Sequence, residues 1–196
     1  MLIQILCHTF KKQTMNKKNL LILILIFPII LFGQLSESLN EMKADSNPTY
    51  EKYESLIYKA TEYIFTNPVN TKSKEFISAT QIIEFWMNKD TGIGIPTFGN
   101  FFNALSNRNN QQYLYTVAMI NYILDQKINQ DRILVCKPIE GQKYSEQQDV
   151  KEVQLGGAKI LLKYIGNKKN NIPINSKTKK YLRAYNKEKL DEMFFD

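Results

Sequence analysis

Apolar residues in this chain return at steps of three and four, and no stretch alternates them convincingly with polar ones. That period belongs to amphipathic helices, so the chain must bury its apolar groups helix against helix. The first stripe is Tyr50, Tyr53, Ile57, Ala60 and Ile64, widened by Leu56 and Tyr63. Asn47-Pro48 suits its start, as an N-cap followed by the residue favoured at the first helical position. Asn67-Pro68 ends it, because a proline disfavours helical geometry in the residue before it. A second helix is expected from Lys72 to Asn88, with Phe76, Ala79, Ile83 and Trp86 on one face. Thr91-Gly92-Ile93-Gly94-Ile95-Pro96 breaks the chain, and a short helix through Phe98, Phe101, Phe102 and Leu105 follows. The stretch Gln111 to Gln126 is apolar round most of its circumference, which predicts a central, buried helix. Ile133-Leu134-Val135-Cys136 reads either as a short strand or as a helix end, and Pro138 and Gly141 mark a loop. Helical spacing resumes from Glu146, with Gly166 suited to a C-terminal stop. The last helix starts at Ser176 and is interrupted near Asn186. The expectation is an all-α domain over 47–196, an antiparallel bundle or α–α array of about five or six helices. Polar residues 34–46 read as a linker or frayed helix.

Ahead of this domain lies a different kind of segment. Met15 is followed by Lys17 and Lys18, then by 13 apolar residues from Leu20 to Phe32 with Pro28 inside, then by Gly33-Gln34. A short basic region, an apolar core and a small residue form the layout of a secretory signal peptide. A spanning helix needs about 20 apolar residues, so cleavage near Gly33 is favoured over a retained anchor formed by Leu20 to Phe32. Translation starting at Met15 would make residues 1–14 dispensable. The expected location is the periplasm or the outside of the cell, with no stable membrane span once the signal is cut.

Removing residues 1–33 changes the composition. It takes four lysines, leaving 22 basic against 19 acidic residues, so the +7 of the whole chain falls to +3. His8, the only histidine, goes as well, and so does Cys7. A chain without histidine cannot run Ser-His-Asp or Cys-His nucleophile activation. Nor can it offer a His-ligated zinc site. Cys136 alone cannot form an internal disulfide, although the expected compartment would permit one. No cofactor or metal site is expected.

Several pieces occur together: Ala60-Thr61-Glu62-Tyr63-Ile64 with Asn67-Pro68-Val69, then Ser73, Ala79 and Phe85-Trp86-Met87. Val150-Lys151-Glu152-Val153, Ala158 to Tyr164 and Lys177-Thr178-Lys179-Lys180-Tyr181-Leu182 complete the series. In order and spacing this resembles a family of uncharacterised, exported helical proteins of Bacteroidota. The likeness implies fold and export, and carries no activity. The order Cys136-Lys137-Pro138, a Tyr-containing helix, Pro173 and a further helix is similar to that of Tai-type immunity proteins, which neutralise peptidoglycan amidases. Those proteins usually keep paired cysteines, and Cys136 has no mate here.

Candidate functional residues fall in two places. Trp86, Asp90, Gly92 and Gly94 group at the end of the second helix. The Thr91-Gly92-Ile93-Gly94 turn lacks both the third glycine of G-x-G-x-x-G and the G-K-[ST] of a P-loop, so it reads as a helix-to-helix turn. Glu84 and Asp90 beside Trp86 could line a sugar cleft, but residues six apart do not share a helical face. The second place is basic. From Val153 to Lys187 there is no acid and there are nine basic residues, among them Lys177, Lys179, Lys180 and Arg183. Such an end meets either solvent or an anionic partner. Only one of the nine is Arg, and bidentate phosphate recognition favours Arg, which argues against nucleic acid. Gly156-Gly157, inside a helical pattern, implies either close packing against another helix or a helix start that presents amides to an anion.

The reading that results is an exported helical interaction or structural module of the cell envelope. Its partner would be an envelope protein or an anionic envelope component. The alternatives are an immunity-type inhibitor of a cell-wall enzyme and a carboxylate-dependent hydrolase acting on glycan or cell wall.

Overall fold

A computed structural model of the chain describes residues 34–195. Met15 and the apolar run Leu20 to Phe32, read above as an export signal, lie outside the described residues. Eight α-helices follow one another: α1 (Gln34–Ala44), α2 (Tyr50–Thr66), α3 (Lys74–Met87), α4 (Gly99–Ala104), α5 (Gln111–Asn129), α6 (Gln148–Gly166), α7 (Ser176–Asn186) and α8 (Leu190–Phe195). Short 3-10 turns lie at Asn107–Asn109, Tyr144–Glu146 and Lys168–Asn170. No strand forms among the described residues. The all-α expectation holds.

Stripe spacing becomes packing directly. Ile57, Ala60 and Ile64 of α2 are buried, as are Ala79, Ile82, Ile83 and Trp86 of α3. Each large apolar side chain removed from water in this way contributes about 1.5–3 kcal/mol. Helix α5 is the central element, packed between α2 and α6, with Tyr115, Val117, Ala118, Met119 and Ile120 all without solvent exposure. It runs antiparallel to α2. Lys127 pairs with Glu54 at 2.6 Å, Tyr58 donates to Asp125 at 2.9 Å and Asn121 donates to Thr61 at 2.9 Å.

Gly156 and Gly157 lie in mid-helix, where glycine costs about 1 kcal/mol relative to alanine. Their reason is the closeness of α5. A Cβ on Gly157 would come within 2.6 Å of Met119 Cγ and 3.0 Å of the Met119 backbone nitrogen, and one on Gly156 within 2.5 Å of the Tyr122 ring. Of the two readings the sequence left open, close packing is the one realised. The glycines do not open a helix.

Three expectations are settled or corrected. Of the two readings left open for residues 34–46, linker or frayed helix, residues 34–44 take the helix. Leu35, Leu39 and Met42 are buried, the Leu35 amide donates to Glu75 at 3.1 Å, and the described residues from Leu35 onward form one compact unit. Helix α2 is capped by Thr49, whose Oγ1 accepts from the Lys52 amide at 3.4 Å, and not by Asn47. The Asn47 amide instead donates to Asp45 in a turn that closes the α1–α2 junction. Helix α6 does end at Gly166, but the residue is not a left-handed cap. It leaves room for Leu182 of α7, whose Cδ1 would be 2.9 Å from an added Cβ.

Candidate functional site

The Trp86 region is structural. Trp86 is 2% exposed and belongs to the core, so it is withdrawn from any interaction surface. Its Nε1 is buried without a hydrogen-bond partner. Glu84 and Asp90 are exposed, and Asp90 Oδ1 accepts from the Gly92 amide at 3.1 Å to close a local turn. Gly94 is pressed against the extended segment around Cys136. Its amide donates to Val135 O at 2.8 Å, and a Cβ there would fall 2.2 Å from Cys136 O. Ile133-Leu134-Val135-Cys136 is therefore neither strand nor helix end but an extended strap laid over this turn.

The strap carries strain at Cys136, whose φ is +47°. A left-handed non-glycine residue costs about 1–2 kcal/mol. It is held there by Asp149 Oδ2, which accepts from the Cys136 amide at 2.7 Å, and by the Tyr144 hydroxyl, which donates to Cys136 O at 2.8 Å. The thiol is free and buried. Burial first, then the Asp149 and Glu152 charges, pushes its pKa up to about 12.

The basic end is exposed. Helix α7 faces inward through Thr178 and Tyr181, three residues apart and both buried. Thr178 Oγ1 and Asn175 Nδ2 both donate to Ala104 O, at 2.8 and 2.9 Å, which fixes the start of the helix on α4. That orientation leaves Lys177, Lys179, Lys180 and Arg183 exposed, with Lys159 and Lys163 of α6 exposed as well. Among the described residues, only Lys159 of the nine basic positions has an ion-pair partner, Asp191 at 3.1 Å. There is no acid in the first turn of α7. A helix N-terminus is the positive end of the helix dipole, and each cation placed there typically costs about 0.3–1 kcal/mol. The lysines thus occupy a place that helix stability disfavours.

A third place was not read from the sequence. A cleft of ≈ 720 Å³ opens between the start of α4, the turn leading into α6, and the α7–α8 end. Its lining mixes the rings of Phe98, Tyr181, Phe194 and Phe195 with the polar groups of Asn100, Gln142, Ser145, Glu146 and Lys151. Its walls come from three distant parts of the chain, and no local spacing betrays them. The one available signal was Phe194-Phe195, two aromatic residues at a helix end with room on the chain's apolar stripe for one.

Among the described residues no three His, Cys, Asp or Glu side chains converge as metal ligands, and no helix is long and apolar enough to cross a membrane. The chain matches no family model, no curated protein and no solved structure. The likeness to exported Bacteroidota proteins and to Tai-type immunity proteins rests on the sequence pieces alone.

Proposed function

We propose that this chain is an exported helical binding module of the cell envelope that meets an anionic envelope component through the lysine face of α6 and α7. The observation that carries the reading is the placement of Lys177, Lys179 and Lys180. They lie at the N-terminal end of α7 with no ion-pair partner among the described residues and no acid in the first turn. Cations there oppose the helix dipole, so local stability does not account for them. A partner with negative charge does, since it would gain from the ammonium groups.

The test is retention of the folded protein on the envelope fraction at low and high salt. Wild type is expected to be retained at low salt and released at high salt, as screening shortens the reach of charge. The triple variant Lys177→Glu, Lys179→Glu, Lys180→Glu is expected to lose retention while its melting temperature rises, because anions favour a helix start. Loss of binding with a gain in stability separates recognition from folding. Unchanged retention of the triple variant sinks the proposal.

A further inference from the structure

We infer that the aromatic cleft between α4, α6 and α8 is a binding site for a neutral saccharide of about disaccharide size, separate from the lysine face. Its volume of ≈ 720 Å³ lies within the range of about 300–1,000 Å³ usual for small-molecule sites. The lining holds two unlike kinds of group. Phe194 and Phe195 stand at 69° to one another with centroids 5.6 Å apart, making a corner of ring surface, and Phe195 is 45% exposed. Asn100, Gln142 and Ser145 offer side-chain amide and hydroxyl groups that make no hydrogen bond within the described residues.

Two charged groups line the cleft as well. Glu146 makes an exposed pair with Lys143 at 3.2 Å, and Lys151 Nζ lies over the Phe195 ring at 5.7 Å from its centroid. Besides these opposite charges the cleft presents the ring surface that Lys151 leaves uncovered and neutral hydrogen-bonding groups. The backbone at the Phe98 edge of the cleft is held in place: Gln154 Nε2 donates to Pro96 O at 3.1 Å and Phe98 O at 2.9 Å.

Ligand classes can be sorted against this lining. A purely apolar chain would take the Asn100, Gln142 and Ser145 groups out of water without pairing them, which is unfavourable. A phosphate-bearing ligand would find one ammonium, already lodged on a ring. A flat nucleobase stacks best in a slot between parallel rings, and here the rings form a corner. A pyranose satisfies both kinds of lining group, with C–H faces for the rings and a belt of hydroxyls for the amides.

The test is nuclear magnetic resonance titration of the full chain with maltose, cellobiose and N,N′-diacetylchitobiose, with adenosine as a comparison. At least one disaccharide is expected to shift amide signals of Asn100, Ser145 and Phe194, and Phe195→Ala to weaken it about tenfold, the size of one aromatic contact. Asn100→Ala, among the polar lining groups, is expected to weaken the same sugar while circular dichroism shows the fold intact. Three results overturn the inference: no disaccharide perturbs the folded protein; a sugar binds but both variants leave its affinity unchanged; or adenosine binds the cleft and the sugars do not.

Discussion

Replacing Gly157 by alanine sets two effects against each other. Alanine is the better helix former by about 1 kcal/mol, so propensity alone predicts a more stable protein. Packing predicts the reverse. The new methyl would lie 2.6 Å from Met119 Cγ, 3.0 Å from the Met119 backbone nitrogen and 3.1 Å from its Cα. The methionine side chain is flexible and can give way. The backbone atoms cannot, unless α5 moves as a body, and α5 is wedged between α2 and α6. Forcing a methyl into a packed interior usually costs about 1–3 kcal/mol, and this site belongs at the upper end of that range. After the propensity gain, the expected loss is about 1–2 kcal/mol. For a domain of this size that lowers the melting temperature by about 2–8 °C. Gly156→Ala is the internal comparison. Its obstacle is the Tyr122 ring, which is half-buried and can swing outward by giving up the 2.9 Å bond to Glu152, so a smaller drop is expected. Thermal unfolding followed by circular dichroism measures both. A Gly157→Ala protein as stable as wild type, or more so, would refute the close-approach reasoning.

Two further predictions concern titrating groups. The Lys52 ammonium at 2.6 Å, the Tyr53 hydroxyl and the Asn47 amide hold the Asp45 carboxyl down at about 2. An unfolded aspartate titrates near 3.9, so the stabilisation is complete above about pH 4 and is lost as pH falls towards 2. Asp45→Asn is expected to flatten that part of the acid-unfolding curve, and an unchanged curve would rule the junction out as its source. Cys136, in a Cys7→Ser background, is expected to resist a thiol reagent at pH 8 until the protein unfolds, because a pKa of about 12 leaves about one thiolate in ten thousand. Labelling of the native protein at the rate of a free thiol would show that the strap opens readily.

The long helices were legible because one stripe decided them. Ile57, Ala60 and Ile64 recur at helical steps and lie buried as that spacing requires. Trp86 follows the same rule. It shares a stripe with Phe76, Ala79 and Ile83, and that membership pointed to the core more firmly than its neighbours Asp90 and Gly92 pointed to a site. Helix α1 was legible too, in Leu35, Leu39 and Met42 at steps of four and three, but three apolar groups among many polar ones make a weak signal. Its stability comes from α3, which supplies Glu75 to the Leu35 amide and Gln81 to Lys43. The strap at Ile133 to Cys136 could not be read, because its partners are Gly94, Tyr144 and Asp149. The aromatic cleft is likewise a product of tertiary folding, joining residues 98–101, 142–154 and 181–195.

The docking of α1 has a practical edge for anyone trimming this protein. A chain begun at residue 47, where the first strong helix signal starts, would strip Leu35, Leu39 and Met42 from an apolar bed. It would also leave Glu75, 7% exposed in the intact fold, without the Leu35 amide that faces it. The shortest fragment that keeps this bed covered begins at Leu35, so an affinity handle or fusion partner belongs on the upstream side of that residue.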